Sequence, residues 1–480
     1  MRSWFYRCNL VLGTILVIWI LFIIQNSLFI DSDSTVLSLW QQITCWAETI
    51  WIIPVPVALL FWVGWFVFAQ PMRSEPVPIP VPTIKILKTG KNYGYLKKAY
   101  LVFRIVTRGE NVEVLRENIA AIHDAFAHYP QEKGPYRIEV VSECPVDVAE
   151  KAQAQTVVYV VPGAYVTAHK SLFKARAMTY LQEQVRPEPE EWYVYLDEES
   201  LVDEVFVAGL YQFIQRSEAL MHRSEKRHPQ GIIGQGTIIY QGGHWFFRSA
   251  DAMRTADDLG RFRLQYGLGV PLFGMHGSFI VVRGIDDARL SFDVGPGSSI
   301  AEDAAWALHA WRKGFRFTWI DGFLYEQPPQ SVKDFIKQRC RWLIGIRGVL
   351  RDNTLPLRYR LGLGIFTYSW HLSLFPTIIA ILALFTHTTA FFWVQIPANF
   401  VWAVFFLSYL QGIDMQVRRT KRFCSGEETN SFWQRVLAYP FALGIFWYTL
   451  LESVSIFYSC ICPRQGFFVI KKNKLNSKNM

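Results

Sequence analysis

Three adjacent acidic residues have the type and position for chemistry on a diphosphate. The apolar segment Trp192–Leu196 reads as a strand, and Asp197, Glu198 and Glu199 follow it directly. Neighbouring carboxylates repel one another unless a cation neutralises them, and such hard oxygen ligands suit Mg²⁺ or Mn²⁺. The pattern favours a metal site at the end of this strand. An acidic cap on the next helix is the alternative interpretation.

A second acidic pair, Glu302 and Asp303, stands at the start of a predicted helix whose next residues are mostly apolar. Activation of a hydroxyl group for attack requires a positioned carboxylate as general base. Acidic residues in the first helical turn also interact favourably with the helix dipole. The pair is therefore a candidate catalytic base, with helix stabilisation as the alternative.

Loops after two further predicted strands carry groups that suit a nucleotide. The loop after the strand FRIV combines a basic side chain, a glycine that permits a tight turn and free backbone amides, and a carboxylate follows IEVV. A basic pair in the segment FKARAM could help to hold phosphate. Ordinary solvated loops are the alternative for the first two. The candidates for donor binding in these segments are Thr107, Arg108, Gly109, Glu143, Lys174 and Arg176.

The segment Gln338, Arg339, Cys340, Arg341 and Trp342 precedes a long apolar run. Arginine and tryptophan at such a border ordinarily anchor a protein in the interface. An arginine can also pair with a pyrophosphate through its planar fork. The segment therefore contributes either interface anchors or part of a donor and acceptor site.

Alternating strand and helix patterns indicate the fold that must position these side chains. Strands are predicted at 100–106, 136–142, 157–161 and 192–196, with helices at 113–126 and 171–184. Such alternation predicts an α/β domain with a mostly parallel sheet flanked by helices. Ligands of such sheets bind at the carboxyl ends of the strands, which is where the candidate residues lie.

The N-terminal region predicts a membrane hairpin. Two apolar runs, Leu10–Ile30 and Ile50–Ala69, have about the length required to cross a bilayer. The loop between them is acidic, whereas Arg2, Arg7 and Arg73 lie on the other side. The positive-inside rule therefore makes the loop lumenal and the region after residue 70 cytosolic.

Three more apolar runs, Leu361–Phe385, Ala390–Leu410 and Val436–Cys460, follow the polar centre. Three crossings would place the basic tail in the lumen, against the charge rule. One run is therefore expected to be interfacial or re-entrant, and the third carries Glu452, which is costly to expose to lipid. The predicted organisation is a membrane hairpin (1–70), a proline-rich linker (71–94), a cytosolic catalytic domain (95–355), membrane or interfacial helices (356–462) and a basic tail (463–480).

Composition agrees with a membrane protein. Hydrophobic residues make up 51% and aromatic residues 16% of the 480 residues, which is too apolar for an ordinary soluble enzyme. The net charge of +9 comes without zinc-finger spacing, an RNP-like motif or a basic helical face. We therefore expect a lipid bilayer and no nucleic acid as partner.

Taken in chain order, the motifs resemble the family-two glycosyltransferases, which include cellulose, chitin and hyaluronan synthases. That family has a strand-end acidic metal motif, a Gly-Ser segment, a Glu-Asp pair and a Q-x-x-R-W motif. The chain departs from the usual Asp-x-Asp, so Glu199 must reach further than an aspartate would. The matching positions are Asp197 to Glu199, Gly277 with Ser278, Glu302 with Asp303, and Gln338, Arg341 and Trp342.

The resemblance implies roles for these residues and a GT-A-like fold. Asp197 and Glu199 would bind Mg²⁺ or Mn²⁺, and Asp197 would also contact the donor. The base would be Asp303, with Glu302 beside it. Donor contacts would also come from Gln338 and Arg341, and acceptor contacts from Gly277, Ser278 and Trp342.

Segments such as VTRGEN, YLDEES and GMHGSF are closer still to the β-1,4-mannosyltransferases of this family. That resemblance implies an inverting single displacement with GDP-mannose as donor and glucosylceramide as acceptor, at the endoplasmic reticulum or Golgi. Two alternatives stay open at this point: a processive polysaccharide synthase and an inactive membrane scaffold. The tail segment FFVIKK resembles the gating loop of the synthases, with isoleucine in place of threonine.

Overall fold

The computed structural model describes residues 2–29, 37–68, 79–86, 95–129, 134–148, 155–223, 229–372, 374–424 and 436–461. Most of the predicted proline-rich linker and all of the predicted basic tail lie outside these residues. The FFVIKK segment and the acidic loop of the N-terminal hairpin at residues 31–33 lie outside them too.

The strands form two sheets. A small antiparallel sheet pairs β1 with β2, and an eight-stranded sheet has the order β5-β4-β3-β6-β9-β8-β10-β7. The strands are β1 (Thr83–Ile86), β2 (Tyr95–Lys98), β3 (Tyr100–Thr107), β4 (Tyr136–Ser142), β5 (Thr156–Val160), β6 (Glu191–Asp197), β7 (Leu201–Val202), β8 (Ile232–Tyr240), β9 (Ile280–Arg283) and β10 (Arg316–Glu326).

Helices cover the sheet and extend from it at both ends of the chain. Those before the third strand are α1 (Arg2–Leu28), α2 (Leu39–Ala47) and α3 (Val55–Val67), with a 3₁₀ turn at Glu48–Ile52. Those of the central region are α4 (Val112–His128), α5 (Phe173–Gln184), α6 (Glu204–Arg223), α7 (Trp245–Asp257), a π-helical turn (Asp258–Phe262), α8 (Arg263–Gly267), α9 (Gly284–Asp287) and α10 (Glu302–Arg312). The remainder are α11 (Val332–Leu350), α12 (Leu357–Leu372), α13 (Leu374–Thr386), α14 (Phe392–Cys424) and α15 (Ile445–Ile461), and 3₁₀ turns lie at Ser299–Ala301 and Tyr439–Gly444.

The large sheet confirms the predicted α/β, GT-A-like class and refines its topology. The pairings β5-β4, β4-β3, β3-β6 and β8-β10 are parallel, whereas β9 runs antiparallel to both of its neighbours and β7 to β10. All nine residues of β8 are buried, as expected for a strand covered on both faces. The parallel register pairs Val106 with Asp197 and Thr107 with Ser142, so three predicted site segments meet at one edge of the sheet.

Four helical segments of the described residues are long and apolar enough to cross a membrane, namely 3–28, 357–386, 392–419 and 436–461. A fifth span is possible if the pair Leu39–Ile52 and Val55–Val67, which is bent by 41°, counts as one. The bend falls within the second predicted run of the N-terminal hairpin. A broken span or a re-entrant segment therefore lies there.

Glycine contacts hold these helices against the catalytic part of the chain. A Cβ at Gly64 of α3 would lie 2.2 Å from the backbone oxygen of Gly260 in the π-helical turn. A Cβ at Gly412 of α14 would lie 1.9 Å from the backbone oxygen of Ala252 in α7. Only residues without a side chain permit such backbone approach. Trp65 adds a hydrogen bond of 3.0 Å to the carbonyl of Ala256.

Glu452 of α15 is paired inside the protein. Its carboxylate accepts a hydrogen bond of 2.8 Å from Nε of Arg339 in α11, and Nη2 of Arg339 also pairs with Asp251 of α7. Arg339 and Asp251 are almost completely buried, so the cost of burying these charges is offset by mutual pairing. The carboxylate that seemed costly in an apolar run thus joins α15 to the catalytic region.

Candidate active site

One cavity of about 810 Å³ connects the strand ends with the apolar helices. Its polar end lies against the last residues of β3 and β6, and its apolar end is bordered by rings such as Phe61, Phe366 and Trp402. All the predicted site residues lie in the described part of the chain, and Gly109 is the only one that does not border the cavity. Segments that run from Thr107 to Trp342 along the chain therefore share one site.

Lys174 of α5 is the centre of the polar end. Its ammonium group pairs with the carboxylate of Asp197, donates 2.6 Å to the backbone oxygen of Gly277 and lies 3.9 Å from Glu302. Burial alone would lower the pKa of this lysine, but Asp197 and Glu302 more than compensate and raise it. Lys174 is therefore a permanently charged cation that holds three segments together. The sequence predicted a phosphate contact for this residue, not a carboxylate partner.

Asp303 lies against the backbone of the Gly-Ser segment. A Cβ at Gly277 would be 3.2 Å from Oδ2 of Asp303, a tight contact, so glycine favours this close approach. Oδ1 accepts a hydrogen bond of 2.7 Å from the amide of Ala304, which fixes the carboxylate at the start of α10. One carboxylate oxygen is thus oriented by the helix while the other lies beside the cavity wall.

The two carboxylates of the Glu-Asp pair have raised pKa values. Burial, followed by the charge of Asp303, raises the pKa of Glu302 to about 8. Burial also raises the pKa of Asp303, against the lowering effect of its helix amide and of Lys174. Two close carboxylates do not ionise together easily, so burial and mutual repulsion favour one proton shared by the pair.

Glu198 supports the loop at the end of β3. Its buried carboxylate accepts hydrogen bonds from Oγ1 of Thr107 and, at 2.6 Å, from Nδ2 of Asn111. Thr107 in turn accepts 2.9 Å from the amide of Gly109, whose φ of +81° requires a glycine. Of the three acidic residues, Glu198 is thus the one that supports the β3 loop, and Gly109 shapes that loop from outside the cavity.

We expect Thr107→Val to lower the free energy of unfolding by about 1 to 3 kcal/mol, because a buried carboxylate loses a donor. Thermal unfolding of the purified chain in detergent measures this effect. Thr354→Val, which removes an exposed hydroxyl that donates to Asp352, is the matched control and should change little. Equal destabilisation by both variants would contradict the role given to Thr107.

The other two residues of the acidic motif, Asp197 and Glu199, fit a cation that is bound together with a diphosphate. Asp197 and Glu199 border the cavity at the end of β6, and the Asp197 side chain is 37% exposed. No group of three or more His, Cys, Asp or Glu side chains among the described residues is arranged to hold an ion alone. Mg²⁺ is commonly bound by one or two carboxylates together with substrate phosphates. The donor set therefore fits Mg²⁺ or Mn²⁺ only in company with a nucleotide.

Ion pairs border the side of the cavity at which the sequence predicts donor contacts. Arg108 pairs with Glu110 at 2.9 Å, and Arg176 lies 3.5 Å from Glu143 while it donates 2.7 Å to the backbone oxygen of Pro162. The Arg108 pair is exposed, so an anionic ligand could replace the carboxylate at little cost. Arg176 is held more firmly than Arg108, because its guanidinium donates to backbone carbonyl oxygens.

The Q-x-x-R-W segment forms the wall between the polar and apolar ends. Gln338 is buried and accepts 2.6 Å from Nη1 of Arg339, and Arg341 borders the cavity. The guanidinium groups of Arg254 and Arg339 lie 4.3 and 4.6 Å from the ring centroid of Trp342. These cation–π contacts fix the indole at the cavity wall. Its stacking on an acceptor sugar stays a prediction.

Hydrogen bonds made by Ser278 and Gln235 hold the Gly-Ser loop in place. Ser278 is buried and contacts Ser200 at 2.9 Å and the amide of Asp197 at 3.3 Å. Gln235 of β8 donates to the backbone oxygens of His276 and Ser278 at 3.0 and 3.1 Å and accepts from the amide of His276. These hydrogen bonds hold the loop that contacts Asp303 in its position.

Sequence reasoning missed two site residues from the π-helical turn, Asp258 and Arg261. Asp258 lies 2.6 Å from Nε2 of His276, the histidine of the GMHGSF segment, and accepts from the amide of Ile238. Arg261 pairs with Asp257 and borders the cavity. A π-helical turn often marks a functional site, but nothing in the local sequence distinguishes it from an α-helix.

Comparisons with known proteins agree with the motifs. Residues 192–415 match the family model described as "Glycosyl transferase family group 2". The chain is 34% identical over 277 residues to "Beta-1,4-mannosyltransferase egh" of Drosophila melanogaster, which covers 56% of this chain and 57% of the relative. It is 31% identical over 281 residues to "Beta-1,4-mannosyltransferase bre-3" of Caenorhabditis elegans, which covers 57% and 58%. The match thus spans little more than half the length of these relatives.

Among solved structures, the chain has a weak likeness to "Crystal structure of S. aureus TarS 1-349 in complex with UDP-GlcNAc". The TM-score is 0.30 at 10% identity, over 80% of this chain and 98% of the other. The family match and the curated relatives together confirm the resemblance predicted from the motifs.

Proposed function

We propose that this chain, whose residues 192–415 carry a glycosyl transferase family group 2 domain, is a membrane-bound inverting β-1,4-mannosyltransferase. The name of the curated relatives supports the β-1,4-mannosyl linkage. The sequence resemblance supplies GDP-mannose as donor and glucosylceramide as acceptor. The catalytic domain would face the cytosol of the endoplasmic reticulum or Golgi, as the charge distribution predicts.

The observation that carries this proposal is the continuity of the cavity. Asp303 and Lys174 lie at its polar end, and rings of the candidate membrane helices border its apolar end. A water-soluble donor can therefore meet a lipid-linked acceptor in one space. Such an arrangement suits transfer of a sugar to a membrane lipid, because the lipid tail keeps contact with apolar side chains.

Asp303 would act as the general base of a single displacement. The acceptor hydroxyl oxygen attacks the anomeric carbon of mannose, the bond to the phosphate oxygen breaks, and GDP leaves with the electron pair. The hydroxyl proton passes to the carboxylate of Asp303. Attack opposite to the leaving group inverts an α-linked donor to a β-linked product.

The neighbouring residues keep the base ionised and the donor in place. Lys174 lowers the pKa of Asp303, and a proton held by Glu302 would leave the negative charge on its neighbour. Arg341 and the exposed Arg108 would contact the diphosphate. A divalent cation held by Asp197 and Glu199 would neutralise the diphosphate and stabilise departing GDP.

The test is mannose transfer by the purified full chain in nanodiscs that contain glucosylceramide. We expect one β-linked mannose from GDP-mannose, no product from UDP-sugars, loss of transfer with EDTA and recovery on addition of Mg²⁺ or Mn²⁺. A long polymer would instead support a processive synthase. No donor binding and no transfer would support an inactive scaffold, and undiminished transfer in EDTA would refute the metal assignment.

A further inference from the structure

Arg261 is a buried cation at the boundary between the polar and apolar ends of the cavity. It belongs to the π-helical turn, which the Gly64–Gly260 contact holds against α3. Its side chain is 2% exposed and borders the cavity. The mechanism proposed above gives it no role.

One edge of the Arg261 guanidinium is unsatisfied. Nε donates 2.8 Å to Oδ1 of Asp257, and Nη2 pairs with the other oxygen of the same carboxylate. Nη1 is buried and has no hydrogen-bond partner among the residues that the structure describes. Buried donors are almost always paired, and Arg261 borders the cavity, so its unpaired N–H points to a ligand that accepts from it.

Aromatic rings surround this guanidinium. Its Cζ lies 3.5 Å from the ring centroid of Phe366, 4.8 Å from those of Phe262 and Phe273, and 5.6 Å from that of Phe61. Phe61 and Phe366 belong to the candidate membrane helices, and Phe273 precedes the loop that contacts Asp303. Arg261 therefore lies between rings of the candidate membrane helices and the segment that leads into the Gly-Ser loop.

We propose that Nη1 of Arg261 binds the polar linkage of a neutral glycolipid, donating to a hydroxyl or amide carbonyl oxygen between the sugar and the tails. This inference rests on the proposed function for the identity of the acceptor. It assigns a specificity residue that distinguishes a sphingolipid-type linkage from a simple alkyl chain.

The charges around Arg261 favour a neutral oxygen over a phosphate. Asp257 neutralises the guanidinium through two contacts, and Asp258, the next residue, faces His276 with a further carboxylate. A lipid phosphate at Nη1 would add an anion close to two carboxylates in a space of low dielectric. A neutral acceptor oxygen meets the hydrogen-bond requirement without this repulsion.

Binding of fluorescent short-chain glucosylceramide to the full chain in nanodiscs tests the inference directly. Arg261→Lys retains a cation beside Asp257 but removes the Nη1 donor of the guanidinium. We expect it to weaken glucosylceramide binding by about 10- to 100-fold, because a charge-assisted hydrogen bond is lost. The KM for octyl β-glucoside, which has a tail but no hydroxyl or amide at its linkage, should stay unchanged.

Arg263→Lys is the matched control, since Arg263 pairs with Asp321 and does not border the cavity. The double variant Asp257→Asn with Arg261→Gln leaves no buried charge unpaired and should show the same selective loss. Equal weakening for both glucosides, or tighter binding of a glucosyl phosphoryl polyprenol than of glucosylceramide, would overturn the inference. If the unmodified chain transfers no mannose but binds glucosylceramide through Arg261, the proposed reaction fails and the inference stands.

Discussion

Asp303→Asn should reduce mannose transfer by about 10²- to 10⁴-fold, the range that a general base contributes. Asparagine keeps the size of the side chain, and its oxygen can still accept from the amide of Ala304. It cannot take a proton from the acceptor hydroxyl. Steady-state transfer from GDP-mannose to glucosylceramide measures the loss, which should fall on kcat.

Donor binding separates this role from a structural one. The affinity of Asp303→Asn for GDP, measured by calorimetry with Mg²⁺ present, should lie close to that of the unmodified chain. Asp352→Asn is the matched control, because Asp352 contacts His309 at the other end of α10, outside the cavity. Loss of GDP affinity in Asp303→Asn, or full transfer by it, would exclude Asp303 as the base.

Lys174→Gln should lower transfer at pH 7 by about 10- to 100-fold and move the acidic limb of the pH profile to higher pH. The ammonium group lowers the pKa of Asp303, so its removal raises that pKa. The base must be ionised to accept a proton, and a higher pKa keeps it protonated up to a higher pH. The dependence of kcat/KM on pH between about 5 and 9 measures the shift.

The charge of Lys174, rather than the shape of its side chain, should account for the change in rate and in the pH profile. Lys174→Arg retains a cation and should keep the acidic limb near its original pH. Lys170→Gln, which removes an exposed lysine near the same helix, should leave both rate and profile unchanged. An unshifted acidic limb in Lys174→Gln would show that Lys174 does not act through Asp303.

Local sequence patterns predicted much of the fold and of the site. The predicted strands at 100–106, 136–142 and 192–196 agree with β3, β4 and β6 to within a residue, because buried parallel strands are apolar throughout. Asp197 and Asp303 could be singled out because carboxylates at a strand end and at a helix start are visible in the linear sequence. The order of the motifs then indicated the family.

Contacts between distant segments could not be predicted in this way. The pairing of Glu452 with Arg339 joins residues 113 positions apart, and Glu452 alone had suggested a poorly placed membrane segment. The antiparallel insertion of β9 between β6 and β8 likewise depends on how the chain returns to the sheet. Neither follows from periodicity, which reports only on local geometry.

The sequence by itself determined the α/β class, the apolar segments and the chemical types available at the strand ends, because these depend on residue type and short-range spacing. The tertiary structure alone decided how these carboxylates pair: Glu198 accepts from Thr107, whereas Asp197 meets Lys174. It also decided that Arg261, which borders the cavity, has an Nη1 without a hydrogen-bond partner among the described residues. Burial and pairing set the charge state of such groups, and both arise only when segments far apart in the chain pack together.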